Sequence, residues 1–186
     1  MTSEVVAGEL ATFGHGTAGA DEITELLRSA GVTAVVDVRS APGSRRNPHM
    51  ARSELEEWLP ERGIAYRWEK ALGGFRKVPE DSPDVVWQRD AFRAYAGHTR
   101  DPRFLQAIDE LLSTAAETPT AVMCSESVWW RCHRRIIADF VQVARDVPVR
   151  HLMHDGRLMA HPAMECIRLR ADGLIVYDAG QTALPE

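Results

Sequence analysis

Short apolar runs alternate with amphipathic stretches along most of this chain, and that alternation restricts its fold more than any other feature. Leu10–Phe13 and Val32–Val38 have the length and continuous apolarity of strands buried on both faces. Between them the period is helical from about Asp21 to Ala30, with Asp21 expected as the N-cap and Gly31 as the C-terminal stop. Strand, helix and strand make a βαβ unit, and the pattern repeats. Ser53–Glu61 reads as a helix capped by Ser53 with Glu56 three residues on, followed by a strand over Ile64–Trp68. Asp90–Ala96 and Pro102–Ala116 read as helices, the second with a Phe104, Ile108, Leu111, Leu112 stripe. Thr120–Cys124 reads as a strand, Arg131–Arg145 as a helix and Val149–Met153 as a strand; after Asp155 only Leu174–Tyr177 is a further strand candidate. The expected fold is α/β and Rossmann-like, a mainly parallel sheet with helices on both faces. One domain over residues 1–186 is expected, with a core at about 10–154 and a C-terminal extension at 155–186.

Charge and cysteine content narrow the function classes. A formal net charge of −5 excludes adhesion to nucleic acid or anionic membrane through bulk charge, so any anion site must be a local basic face. Lys70 and Lys77 are the only lysines among 22 basic residues. The rest are arginines, which suit bidentate contacts to phosphate, carboxylate or base edges, although a GC-rich genome produces the same bias. Three cysteines without a secretory leader point to a reducing cytoplasm rather than a disulfide scaffold. No apolar run reaches the ~18 residues that a membrane span needs.

In open α/β sheets ligands bind beyond the carboxyl ends of the strands, and the unusual polar clusters all fall there. The strand ends read Gly14-His15-Gly16-Thr17, Asp37-Val38-Arg39-Ser40, Arg67-Trp68-Glu69 and Cys124-Ser125-Glu126. A polar crevice is therefore expected at that edge, with His15, Asp37 and Ser125 among its residues. His15 sits in a turn whose N–H groups can face an anion, or it is a satisfied turn histidine. Arg39, Arg45, Arg46 and His49 share a loop restrained by Pro42 and Pro48, which suits phosphate contacts; Arg39 can equally pair with Asp37 or Glu126. The glycines of Leu72-Gly73-Gly74 permit close approach of this backbone to a ligand or another loop.

Residues 123–135, Met-Cys-Ser-Glu-Ser-Val-Trp-Trp-Arg-Cys-His-Arg-Arg, mix thiols, an acid, paired indoles, an imidazole and three guanidiniums. Cys124 at a strand end, activated by a helix dipole and by His133 or Arg39, has the setting of a nucleophile, or Glu126 that of an acid/base, with His133 as proton carrier and Arg39 as electrostatic stabiliser; otherwise Cys124 is an inert buried thiol. Cys124 and Cys132 lie eight positions apart without a short knuckle, so neither a metal nor another cofactor is expected. Trp129 and Trp130, next to Arg131, Arg134 and Arg135, offer π-faces beside cations, the pairing that stacks a base while its phosphates are held. An apolar wall of that kind would favour an added methyl on a pyrimidine by roughly 1 kcal/mol.

Thr12-Phe13-Gly14-His15-Gly16, Val36–Arg39 with Ser44–Pro48, Leu72-Gly73-Gly74 and Met123–Glu126 with Cys132–Arg135 resemble, in order and spacing, the successive motifs of the domain of unknown function 488 family. The resemblance covers about Phe13 to Met153 and implies an α/β fold with a polar crevice at the motif loops. Some members carry a DNA-repair label, and the paired tryptophans depart from the family pattern, which implies a specialised ligand. The leading expectation is a DNA-binding protein in which Arg39, Arg45, Arg46, Arg131, Arg134 and Arg135 hold phosphates. In it Trp129 and Trp130 contact a base, including a modified one such as 5-methylcytosine. The alternative is an enzyme, a hydrolase or transferase on a small anionic or nucleotide-like substrate, working through Cys124, Glu126 and His133.

Overall fold

The apolar runs become β1 (Leu10–Gly14), β2 (Ala34–Asp37), β3 (Ala65–Trp68), β4 (Thr120–Cys124) and β5 (Val149–Leu152). In the computed structural model, which describes residues 4–180, they lie parallel in the order β3-β2-β4-β1-β5. The most apolar runs lie innermost: β1, β2 and β4 are buried at every position, as a sheet covered on both faces demands. A sixth strand, β6 (Leu158–Ala160), pairs antiparallel with β5 at the edge. Its three half-buried or exposed residues carry too little apolar pattern to be read from sequence.

Five helices cover the sheet. Helices α1 (Ala20–Ser29) and α2 (Arg52–Glu61) pack Ile23, Leu27, Leu55 and Leu59 against Phe13 and Val35 on one face. On the other, α3 (Asp90–His98), α4 (Pro102–Glu117) and α5 (Arg134–Arg145) pack Tyr95, Phe104, Ile108, Ile136 and Phe140 against Leu10, Val36 and Val122. Strand β4 lies between β2 and β1 but leads to α5, whereas β1 and β2 lead to α1 and α2. Chains leaving three adjacent strand ends thus diverge to opposite faces, which opens a crevice at a topological switch point.

Helix starts differ from the sequence reading, for local reasons. The N-cap of α1 is Gly19, whose N–H donates to the Glu22 carboxylate at 2.8 Å, and Asp21 stands in the first turn with its side chain 97% exposed. Ser53 does not cap α2, because the chain enters that helix from a single 3₁₀ turn at Pro48–Met50 and the N-cap is Ala51. Helix α5 begins at Arg134 rather than Arg131: Trp129–Arg131 form a 3₁₀ turn and Cys132 is extended.

Beyond Asp155 the chain folds back into the core up to the last described residues. A hairpin of β7 (Arg168–Leu169) and β8 (Ile175–Val176) places Ile175 and Tyr177, both fully buried, against α5 and the Trp87 segment. Tyr177 OH donates to Asp139 at 2.8 Å, and its N–H donates to Asp84, which is itself held by Arg100. Residues 181–186 of the expected extension lie outside the described residues. Among those described, no helix is long and apolar enough to cross a membrane.

Candidate active site

Strands β1, β2 and β4 end level with one another, Gly14 opposite Cys124 and Asp37 opposite Met123. The ladder continues into the turns, where the His15 and Gly16 N–H groups donate to Cys124 O and Ser125 O, both at 3.0 Å. Beyond these ends lies a cavity of about 510 Å³, within the range that suits a small ligand. Its walls come from four loops: His15 and Gly16; Arg39 to Asn47; Gly74 and Phe75; and Cys124 to His133, with Ala91 and Phe92 of α3. Among the described residues, none after His133 lines it.

On the β2 side the anchor is a buried ion pair. Asp37 is fully buried and Arg39 only 7% exposed; Arg39 Nε and Nη2 donate to the two Asp37 oxygens at 2.9 and 2.7 Å, and Nη2 also reaches Met50 O. Tyr66 OH donates to the same carboxylate at 2.7 Å. Arg39 thus gives most of its donors to the fold and turns Nη1 towards His15 Nε2, 3.4 Å away. His15 Nδ1–H donates to Gly16 O, so Nε2 carries the lone pair. Burial and the adjacent Arg39 cation lower its pKa to about 4, which leaves the ring neutral at pH 7. Arg131, an exposed residue of the cavity wall, has no acidic partner among the described residues. Arg45 and Arg46 are exposed between Ser44 and Asn47, two wall residues.

Deeper in, Cys124, Cys132 and His133 meet. The 3₁₀ turn and the extended Cys132 fold the chain back, so that both sulfurs and His133 Nδ1 lie within 4.8 Å of one another. His133 Nε2–H donates to Val38 O at 2.8 Å, so Nδ1 is the bare nitrogen, and it faces Cys132 Sγ at 3.6 Å and Cys124 Sγ at 3.9 Å. Gly74 lies against the ring: a Cβ there would stand 2.9 Å from Nδ1. Gly73 fits equally closely over Ser40, so the paired glycines serve the close approach of two loops. The thiols share their protons unequally. Cys124, donating to Cys132 and buried, is pushed up to about 12; Cys132, receiving that bond and close to Arg134, is brought down to about 6. The first N–H of α5 also points at Cys132 Sγ, 3.5 Å away. Glu126 lines the same cavity, half-buried, its Oε1 accepting from Val128 N–H.

Three residues expected to contact nucleic acid are used elsewhere. Arg134 is 1% exposed and points inward, donating through Nη2 to Glu126 O and through Nη1 to Thr12 Oγ1. It braces the β4 loop from beneath. Trp129 is 8% exposed and stacks on His151 with centroids 4.2 Å apart, so it is core and cannot cover a base. Arg135 lies over the Trp87 ring at 5.1 Å and does not line the cavity. Trp130, at 48% exposure, is the indole left facing outward. His49, also in the expected anion loop, donates to Ala18 O.

Sequence reading missed the buried chain beneath Trp129, in which Thr12 Oγ1 meets His151 Nδ1, His151 Nε2 meets His161 Nδ1, and His161 Nε2 meets Asp139. Burial and neighbouring His161 bring His151 down to about 3. It also left Phe92 of α3 unnamed as a wall residue.

No curated protein and no solved structure matches the chain significantly. The family model described as Domain of unknown function DUF488 matches residues 19–141, a span that holds Arg39, Cys124, Glu126, Cys132 and His133 and leaves out the His15 turn. With about two thirds of its length matched, this chain belongs to the DUF488 family.

Proposed function

We propose that the protein is an enzyme acting on a small anionic, nucleotide-sized substrate in the cavity at the ends of β1, β2 and β4. One observation carries the reading: a single cavity joins Arg131, a cation without an acidic partner among the described residues, to a carboxylate, Glu126, and to the Cys124–Cys132–His133 cluster. Arg131 supplies the anion contact, and the remaining edge of Arg39 adds to it. Glu126 is the proton carrier, and the reaction runs at the cysteine–histidine cluster on the cavity floor. The neutral His15 ring adds a polar contact without charge. A reducing cytoplasm is the compartment that goes with this proposal, because two unbridged thiols this close stay reduced there.

Calorimetric titration with inorganic phosphate and with a mononucleotide tests the anchor. Both bind the wild type, and Arg131→Ala weakens each by tenfold or more, equivalent to about 1.4 kcal/mol. Equal affinities in wild type and variant, or no binding of either anion, would remove the anchor and with it the substrate class.

A second reading, binding of DNA including 5-methylcytosine, draws on what stays exposed at the rim: Arg45, Arg46, Trp130 and Phe75. Fluorescence anisotropy with unmodified and methylated strands at two salt concentrations separates it from the first. Salt-sensitive binding that Arg45→Ala with Arg46→Ala weakens for all sequences, and Trp130→Ala strips of base preference, supports it; binding indifferent to these changes refutes it.

A further inference from the structure

We infer that Cys124, Cys132 and His133 are the protein ligands of a zinc-class divalent cation whose fourth position opens into the cavity. Bonds of ~2.3 Å to sulfur and ~2.0 Å to nitrogen at a tetrahedral angle hold S and N ligand atoms about 3.6 Å apart. The two sulfurs lie 3.6 and 3.9 Å from His133 Nδ1, so the two sulfur–nitrogen edges of the tetrahedron are close to that length, and the sulfurs themselves lie within 4.8 Å of each other.

The imidazole is prepared for this role. Its Nε2–H is committed to Val38 O, the arrangement in which an outer carbonyl fixes the tautomer and aims the other nitrogen at the metal. Gly74 on one side and Tyr95, with ring centroids 4.9 Å from the imidazole, on the other restrict rotation of the ring. Both cysteines are at least 94% buried, within the cluster that contains Leu72, Tyr95 and Ile136. A soft, low-dielectric shell of that kind favours thiolate coordination. Two thiolates and one neutral imidazole balance the charge of a divalent cation.

All three ligands line the cavity, so the side of the tetrahedron without a protein ligand faces it. Three protein ligands with an open position is the pattern of catalytic rather than structural zinc. That the open position meets a substrate rests on the proposed function; binding of the cation does not. With a cation bound, the Cys132 thiolate is a ligand and not an attacking group.

Cobalt(II) titration of the purified full chain, with a phosphine reductant that does not chelate, tests the site. The wild type takes up one cobalt ion per chain and shows thiolate-to-cobalt charge-transfer absorption together with the intense visible bands of a tetrahedral centre. Zinc displaces the cobalt and raises the melting temperature, as a ligand of the native state must. Cys124→Ser and Cys132→Ser each remove charge-transfer intensity, and His133→Gln weakens zinc binding by tenfold or more. A wild-type chain that melts cooperatively but shows no charge-transfer band would overturn the assignment, whatever the variants do. So would bands unchanged in Cys132→Ser. Phosphate binding by the metal-free chain reports on the anion anchor separately, so the two proposals can fail independently.

Discussion

Gly14→Ala is expected to lower stability by about 3 kcal/mol or more, the upper end of what one inserted methyl does in a closely packed site. An ideal Cβ on Gly14 would stand 1.8 Å from Glu126 O, 2.5 Å from its carbonyl carbon and 2.8 Å from Arg134 Nη2. None of these atoms has room to retreat. Glu126 O is the acceptor of the Arg134 guanidinium, and Arg134 is packed beneath the sheet with its other nitrogen on Thr12. Relief requires the β4 loop to lift, which moves Glu126 out of the cavity wall and takes the acceptor from a buried cation. Urea unfolding measures the loss. Gly43→Ala is the control, because nothing lies within 4 Å of its added Cβ; it should stay within about 0.5 kcal/mol of wild type. A Gly14→Ala protein within about 1 kcal/mol of wild type would show that the β1–β4 junction has slack.

Asp37→Ala should cost about 3–5 kcal/mol, because it leaves a buried guanidinium without its counter-charge. Asp37 is fully buried and takes three side-chain hydrogen bonds, two from Arg39 and one from Tyr66. Removing the carboxylate strands Arg39 Nε and Tyr66 OH and leaves Nη2 only Met50 O. Shortening the pair from both ends, in Asp37→Ala with Arg39→Met, should recover part of the loss, since the unpaired charge goes as well. An exposed pair gives the contrast. Arg52 and Glu56 form a 2.6 Å i,i+4 bridge with both side chains about half exposed, and Glu56→Ala should cost no more than about 0.5 kcal/mol. Thermal unfolding of the three variants distinguishes the cases. Equal losses for Asp37→Ala and Glu56→Ala would contradict the assignment of Asp37 and Arg39 as a buried anchor.

What the sequence disclosed, and what it hid, follows from the range of the forces involved. Burial of a whole strand writes itself into consecutive residues, so Val35, Val36, Ala121 and Val122 marked the sheet, and the motif loops at its carboxyl edge came with it. Helix starts were less legible. Asp21 and Ser53 are good cap residues by type, but Gly19 and Ala51 hold those positions because the preceding backbone delivers the chain there. Arg134 and Trp129 misled for a related reason. A guanidinium in a polar, cationic segment reads as surface, and only the tertiary fold reveals that Glu126 O and Thr12 Oγ1 wait to accept its protons. A paired tryptophan does not disclose which indole turns inward; stacking on His151, more than twenty residues later, decides it. Cys124 and Cys132 looked too far apart to share a ligand because eight residues of extended chain would separate them widely. The 3₁₀ turn at Trp129–Arg131 closes that span.

The claim that this cavity is a reaction site is tested most directly by turnover. Purified protein, metal-free and zinc-loaded, is incubated with a pool of phosphorylated and carboxylated metabolites, and the pool is compared by mass spectrometry before and after. At least one anionic metabolite should be consumed by the wild type and replaced by a product, with the rate reduced on the order of a hundredfold or more in Glu126→Gln, as loss of a proton carrier demands. A pool unchanged by both wild-type preparations, or consumed equally fast by Glu126→Gln, would contradict it.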